Sequence, residues 1–224
     1  MRNLVVIVPS RGRPDSIKEL LKSFDETKTE SDLLVVVDDD DPTLDAYLDT
    51  GADIFIVKKE GKGMARPLNF TANLMKDKYR HFAFLGDDHR PRTMYWDQHF
   101  LNNLDELGTG LVYGNDLLQG EQLPTAIGMS GDIVKALGGM TPQGMIHLYL
   151  DNFWLQLGRD LNSIRYLPEV ILEHLHPVAG KADWDEGYKS VNAPEVYSAD
   201  AQAMNAYLGS EEYQTLLALL RESI

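Results

Sequence analysis

Cysteine is absent from the 224-residue chain. That excludes disulfides, thiolate zinc sites and cysteine nucleophiles, and leaves carboxylate oxygen and imidazole as the strong candidate metal ligands. Long apolar runs are missing too: none approaches the roughly 18–20 residues of a membrane span. Met1-Arg2-Asn3 leads straight into a strand-like run and not a signal peptide, so a cytoplasmic protein is expected. Basic residues are in deficit, with 21 Lys and Arg against 35 Asp and Glu and a formal net charge of −14. Such a chain repels nucleic acid unless a local basic groove offsets the field. No Gly-x-Gly-x-x-Gly follows the first strand, which disfavours a dinucleotide cofactor, and no glycine loop ends in Gly-Lys-Ser/Thr. Internal repeats and low-complexity tracts are also lacking. What is present suffices for a packed core, since 43% of the residues are hydrophobic and the length allows one large domain or two small ones.

The chain is organised around Phe82-Ala83-Phe84-Leu85-Gly86-Asp87-Asp88-His89, an apolar strand that delivers two adjacent carboxylates and an imidazole. Adjacent aspartates repel and need a cation, a hydrogen-bond cage or open water; hard oxygen ligands of this kind suit Mg²⁺ or Mn²⁺. An acidic surface turn is the bland alternative. Other strands end in polar clusters as well. Leu4 to Val8 is a run buried on both faces, and after it come Pro9-Ser10-Arg11-Gly12-Arg13 and a helix opened by Pro14. Leu33 to Val37 runs into Asp38-Asp39-Asp40-Asp41, with Asp41 expected to cap a helix begun by Pro42. Asp53 to Val57 precedes Lys58-Lys59-Glu60-Gly61-Lys62-Gly63-Met64-Ala65-Arg66, where glycines and lysines suit phosphate contact. A helix from Pro67 to Met75 follows. Strands alternating with helices predict an α/β sheet whose strand ends line one edge, where ligands bind. The groups gathered there suit a nucleoside diphosphate with a divalent metal.

In order and content, Val8-Pro9-Ser10-Arg11-Gly12-Arg13, Val37-Asp38-Asp39, the segment from Gly63 to Asn69, and Leu85-Gly86-Asp87-Asp88 resemble the GT-A fold glycosyltransferases, particularly the family 2-like enzymes. The resemblance implies an α/β, GT-A-like single domain: a mostly parallel, Rossmann-like sheet flanked by helices, with a C-terminal helical appendage. It implies a nucleotide-sugar donor and Mn²⁺ or Mg²⁺ held by an Asp-x-Asp-type motif, in which Gly86 here replaces the first aspartate. Asp88 then becomes the metal ligand, and Asp38 and Asp39 the base- and ribose-binding acids. Pro9, Arg11, Arg13, Lys62, Arg66, Asn69 and Asp87 complete the expected donor site. Residues 1–197 would form the transferase domain, 1–90 its donor half and 91–197 its acceptor half and lid, with helices in 198–224.

Met94 to Leu107 has helical spacing with Trp96 in its core stripe, and Ser130 or Asp132 is expected to cap the helix from Ile133 to Leu137. The apolar segment Ile146 to Leu155 carries Asp151 in its middle. A carboxylate there is costly unless it faces a cleft or partner, and in inverting members of the family such an aspartate is the general base. A helix-internal aspartate that merely reaches solvent is the alternative. His174 and His176 point the same way in an extended chain, and the family often returns a C-terminal histidine to the metal; either fits. Gly180 to Tyr188 is expected to be a lid, and Ser198 and Ser210 the N-caps of two terminal helices that pack on the domain or on a second subunit. The expected activity is metal-dependent transfer from a nucleoside diphosphate-sugar to an acceptor hydroxyl. A nucleotidyltransferase and a catalytically silent nucleotide-sugar-binding module are the alternatives. A small molecule or glycan is the first-choice acceptor. Compact enzymes of this type also resemble phage-encoded transferases, some acting on hydroxymethylated DNA bases, which would require Lys76, Lys78, Arg80, Arg90, Arg92 or Arg165 to form a basic patch.

Overall fold

Residues Leu4 to Val8 are all buried to 2% exposure or less, because successive side chains of a strand leave on opposite faces and both faces are covered. The computed structural model describes residues 2–181 and 186–223. In chain order these form β1 (Arg2–Pro9), α1 (Pro14–Glu26), β2 (Asp32–Asp38), α2 (Leu44–Leu48), β3 (Asp53–Val57), α3 (Ala65–Met75), β4 (Tyr79–Phe84), β5 (His89–Pro91) and α4 (Trp96–Leu107). Then come β6 (Leu111–Asn115), β7 (Ile127–Ser130), α5 (Gly131–Leu137), α6 (Leu150–Leu161), β8 (Ile164–His174), α7 (Glu186–Val191), α8 (Pro194–Leu208) and α9 (Glu211–Arg221). Val5 and Ile7 enter one core with Leu68 of α3 and Trp154 of α6. Leu4, Val6 and Val8 enter the other with Leu20 of α1 and with Trp96 and Phe100 of α4. Each such aliphatic side chain contributes about 1.5–3 kcal/mol by leaving water. Val6→Asp would reverse that by burying an unpaired carboxylate.

The strands make one sheet in the order β3-β2-β1-β4-β7-β6-β8-β5. β1 to β4 are parallel, as alternating strands and helices predict, while β7 runs against both β4 and β6, and β5 against β8. Residues from both halves of the sequence therefore share one sheet. The pairing of β5 with β8 sets His89 opposite His174.

Two sequence expectations at the C-terminus meet different outcomes. Ser210 caps α9, its Oγ accepting from Tyr213 N at 3.1 Å. Ser198, by contrast, lies inside α8, which starts four residues earlier with Pro194 in its first turn. α9 is part of the core, burying Tyr213, Leu216, Leu217 and Leu220 in the cluster that holds Phe153. The segment expected to act as a lid has its centre, 182–185, outside the described residues. Among the described residues no helix is long and apolar enough to cross a membrane.

Candidate functional site

A cavity of about 660 Å³ opens at the carboxyl ends of β1, β2 and β4. β1 lies between β2 and β4, so crossovers leave it in both directions, and the loops after β1 and β4 part to form a crevice. Asp87 ties the two loops together. Its Oδ2 accepts from Ser10 Oγ at 2.6 Å and its Oδ1 from Arg13 Nη1 at 3.2 Å. Burial and the neighbouring Asp88 push its pKa up to about 6. Tyr47 braces the same loop, its hydroxyl 2.7 Å from Ser10 Oγ and accepting from Arg13 N at 2.8 Å.

The four aspartates after β2 divide by position. Asp38, the last residue of the strand, is buried at the cavity wall, and its Oδ2 accepts from Lys59 Nζ at 2.6 Å and Arg11 Nη1 at 3.3 Å. Asp39 points away: it is exposed, lies outside the lining, and accepts from Lys59 N at 2.8 Å. Asp41 does not cap a helix at Pro42; it builds the loop, accepting from Thr43 N at 2.7 Å and from Gly12 N at 2.8 Å. In the next loop Lys59 and Lys62 line the cavity. Gly63 is glycine for a different reason from the expected one. At its φ of +75° a Cβ would meet Ile146 O at 2.2 Å, so the close approach is to this chain's own backbone. Arg66 is turned aside into an ion pair with Glu60 at 2.5 Å. Asn69 is wholly occupied elsewhere, its Oδ1 accepting from Met140 N and Thr141 N, both at 2.9 Å. Neither Arg66 nor Asn69 lines the cavity.

At the β4 end, Asp88 Oδ2 stands 3.3 Å from His174 Nε2 and Asp88 Oδ1 3.4 Å from His89 Nδ1. The three groups offer ligand atoms all within 4.8 Å of one another. The antiparallel pairing extends past the strands, Leu175 N donating to Asp88 O at 2.9 Å. Burial opposes charge on His174, but Asp116 and Asp88 outweigh it and raise its pKa to about 9. Burial likewise opposes charge on Asp88, and the two imidazoles hold its pKa well below the usual range. His89 behaves differently: burial and the charged His174 lower its pKa. Its Nδ1 accepts from Gly86 N at 3.0 Å, which places the proton of the neutral ring on Nε2, facing Thr125 Oγ1 at 3.4 Å. Behind His174 sits Asp116, its Oδ2 3.9 Å from Nδ1. Asp116 itself is fixed by the amides of Leu118, Gln119 and Gly120 and by Thr125 Oγ1. A carboxylate with imidazole, backed by a second carboxylate, is a donor set that fits Mn²⁺ or Mg²⁺. His176 lies beside this group, its ring centroid 5.0 Å from that of His174 and its Nδ1 accepting from Val178 N at 3.2 Å.

The far wall comes from the segment before α6 and from α7 and α8. Asp151 lies in the first turn of α6, not mid-helix, and lines the cavity; burial raises its pKa. The loop before it is held by Asp200, which is fully buried and accepts from Ile146 N at 2.6 Å, His147 N at 2.9 Å and Leu148 N at 2.6 Å. The four arginines that a DNA acceptor would draw on are engaged within the chain. Arg80 pairs with Asp105, Arg92 with Glu173 and Arg165 with Glu106, while Arg90 is buried on the carbonyls of Asp87 and His89.

No protein-family model and no curated protein matches the sequence. Solved structures do match. One is a mannosyltransferase from Pyrobaculum calidifontis in complex with GDP-Man and Mn²⁺, with a TM-score of 0.59 and 15% identity, covering 98% of this chain and 79% of that one. The fold is the GT-A type. Glucosyl-3-phosphoglycerate synthase from Mycobacterium tuberculosis, with Mn²⁺, UDP-Glc and glycerol 3-phosphate, gives a TM-score of 0.63 at 13% identity over 91% of this chain and 80% of that one. A putative nucleotide-diphospho-sugar transferase from Desulfovibrio desulfuricans covers 98% of this chain and 99% of its own, with a TM-score of 0.51 and 10% identity.

On this GT-A frame the cavity gathers Pro9, Arg11, Arg13, Asp38, Lys62, Asp87, Asp88, Asp151, His174 and His176, but not Asp39, Arg66 or Asn69. Sequence reasoning left Asp116, His147 and Asp200 without a role in the site and named His89 only as the imidazole beside the aspartate pair. Asp116 carried a signal, following a strand directly. Asp200 carried none, because its partners are backbone amides 52 to 54 residues away.

Proposed function

We propose that the protein transfers a sugar from a nucleoside diphosphate-sugar to an acceptor hydroxyl, with Mn²⁺ or Mg²⁺ held by Asp88 and His174. The observation that carries this reading is the convergence on one cavity of the Asp88–His174 pair, the cationic loops after β1 and β3, and Asp151 on the opposite wall. The GT-A fold supports it, since two of the similar proteins were solved with Mn²⁺ and a nucleotide sugar.

When bound, the divalent cation supplies positive charge where the diphosphate leaving group develops its negative charge. The chain's own residues do the rest. Arg11, Arg13, Lys59 and Lys62 surround the donor side with cations that favour the diphosphate. Asp38, fixed by Lys59 and Arg11 through Oδ2, offers Oδ1 to a base N–H or ribose hydroxyl. Asp151 removes the proton from the acceptor hydroxyl; the hydroxyl oxygen bonds to the anomeric carbon, the bond from that carbon to the diphosphate oxygen breaks, and its electron pair departs with the diphosphate. Burial favours this role by making the Asp151 carboxylate more basic. Such a displacement inverts the anomeric configuration.

A panel of UDP- and GDP-sugars with Mn²⁺, scored by thermal shift and product analysis, tests the reading. The expected product is a nucleoside diphosphate, with sugar on an acceptor or on water. Free pyrophosphate would point instead to nucleotidyl transfer at the α-phosphate, and donor binding with no turnover would reduce the protein to a binding module.

A further inference from the structure

Across the cavity from the arginine loop, the wall is mainly apolar, with Tyr149, Ser190 and Asn192 as its uncharged polar members beside His147. Leu148, Leu150, Trp154, Val191 and Val196 line it, and Asp151 is the charged group it carries among the described residues. Apart from His174 at the β4 end, the cations that line the cavity among the described residues, Arg11, Arg13, Lys59 and Lys62, come from the opposite loops. Into this apolar wall projects His147, whose ring makes no hydrogen bond with any described residue, and whose Nδ1 is both buried and unpartnered. An imidazole left in that state is costly unless something arrives to bond it. It is also not there through looseness. The Asp200 carboxylate fixes the His147 amide and the amides on either side of it. A buried carboxylate spent on three loop amides is a device for holding that loop in one conformation.

We propose that this wall receives the acceptor as an uncharged alcohol with an apolar flank, His147 hydrogen-bonding one of its hydroxyls while Asp151 takes the proton from another. The proposal rests on the transferase reading and names the substrate class of that same site. Burial lowers the pKa of His147 to about 4, so at neutral pH the ring offers one N–H and one lone pair, the pair of functions that a hydroxyl can match. A phosphorylated or carboxylated acceptor would instead set its charge beside Asp151 in a wall that supplies no cation among the described residues, and would pay desolvation without return. Pockets with apolar linings and a few placed polar groups select ligands in this way.

The test uses the full chain with Mn²⁺ and whichever of UDP-glucose or GDP-mannose it hydrolyses. p-Nitrophenyl glucoside serves as the uncharged acceptor and glycerol 3-phosphate as the charged one. The expected kcat/KM is at least tenfold higher for the uncharged acceptor. His147→Ala should raise the KM for that acceptor about tenfold with a smaller change in kcat, and His147→Gln, which keeps a hydrogen-bonding group, should recover part of the loss. Circular dichroism excludes unfolding as the cause in either variant. Preference for glycerol 3-phosphate, or an acceptor KM unmoved in both folded variants, would overturn the proposal while leaving the transferase reading intact. Failure of wild type to bind or hydrolyse any nucleotide sugar would overturn both.

Discussion

The imidazoles of His89 and His174 stack with centroids 4.2 Å apart and planes 16° from parallel, and each ring also meets a different oxygen of Asp88. The stack follows from the β5–β8 pairing, which sets the two residues opposite each other. With its Nδ1 taken by the Gly86 amide, His89 serves as a plate that fixes the plane of His174. Asp88→Ala and His174→Ala should therefore abolish Mn²⁺ binding measured by calorimetry, with the melting temperature changing little. His89→Phe preserves the stack without a ring nitrogen and should weaken Mn²⁺ by about tenfold, the lower range for a residue behind the ligands. His176→Ala should leave it within a few-fold. Complete loss in His89→Phe, matching His174→Ala, would make His89 a ligand instead.

Gly86 stands where the resembling enzymes carry an aspartate, and the structure supplies a steric reason for glycine. A Cβ there would lie 2.5 Å from Asp88 Oδ1 and 3.0 Å from His89 Nδ1. Gly86→Ala should displace the carboxylate and the imidazole together, lowering Mn²⁺ affinity at least tenfold and costing on the order of 1–3 kcal/mol of stability, the usual range for overpacking. Chemical denaturation and metal titration of the one variant measure both. Wild-type metal affinity in Gly86→Ala would show that Asp88 can move aside without consequence.

What was legible in the sequence followed from local rules. β1 and β2 announce themselves because strands covered on both faces carry unbroken apolar runs, and their polar ends mark the ligand edge. Parity also holds for His174 and His176: the chain stays extended through His176 before a 3₁₀ turn begins at Pro177, and both rings line the cavity with centroids 5.0 Å apart. The end of β2, by contrast, separates Asp38, still in the strand and buried, from Asp39, which has left it. Asn69 and Arg66 lie outside the cavity because which face of α3 meets it is decided by packing against the segments around Ile146 and Thr141, far away in sequence. The β5–β8 register, on which the candidate metal centre depends, joins segments more than 80 residues apart and leaves no mark in either.

His147, whose Nδ1 is buried, should make stability depend on pH. It faces Asp200 on α8, Asp88 after β4 and Arg13 after β1, and burial is the largest influence, taking its folded pKa to about 4. The unfolded value is about 6.5. Between these two values the unfolded chain binds a proton that the folded chain refuses. The contribution is therefore complete above pH 6.5 and is lost as pH falls toward 4, at about 3–4 kcal/mol in all if roughly 1.4 kcal/mol accompanies each pH unit. Urea denaturation across this range, compared between wild type and His147→Asn, isolates the term from those of the carboxylates. Parallel profiles for the two proteins would mean that His147 protonates as easily folded as unfolded.

Asp151 decides whether the cavity catalyses or only binds. A general base acts on the acceptor in the transition state, so Asp151→Asn should keep the affinity for the nucleotide sugar and the melting temperature near wild type. Transfer should nevertheless fall by about 10²–10⁴-fold, the weight of a positioned base. The position of Asp151 in the first turn of α6 sharpens the contrast. Its carboxylate accepts from Asn152 N at 2.9 Å, a contact that the asparagine oxygen can also make, so the helix start should survive the change. A structural carboxylate would behave otherwise: activity would then track the loss of folded protein. In a retaining transferase the proton could pass to the diphosphate, and Asp151→Asn would retain most of its turnover. Anomeric analysis of the product by NMR, run beside the kinetics, separates these cases. An inverted product with turnover undiminished in Asp151→Asn would remove the base from this residue altogether.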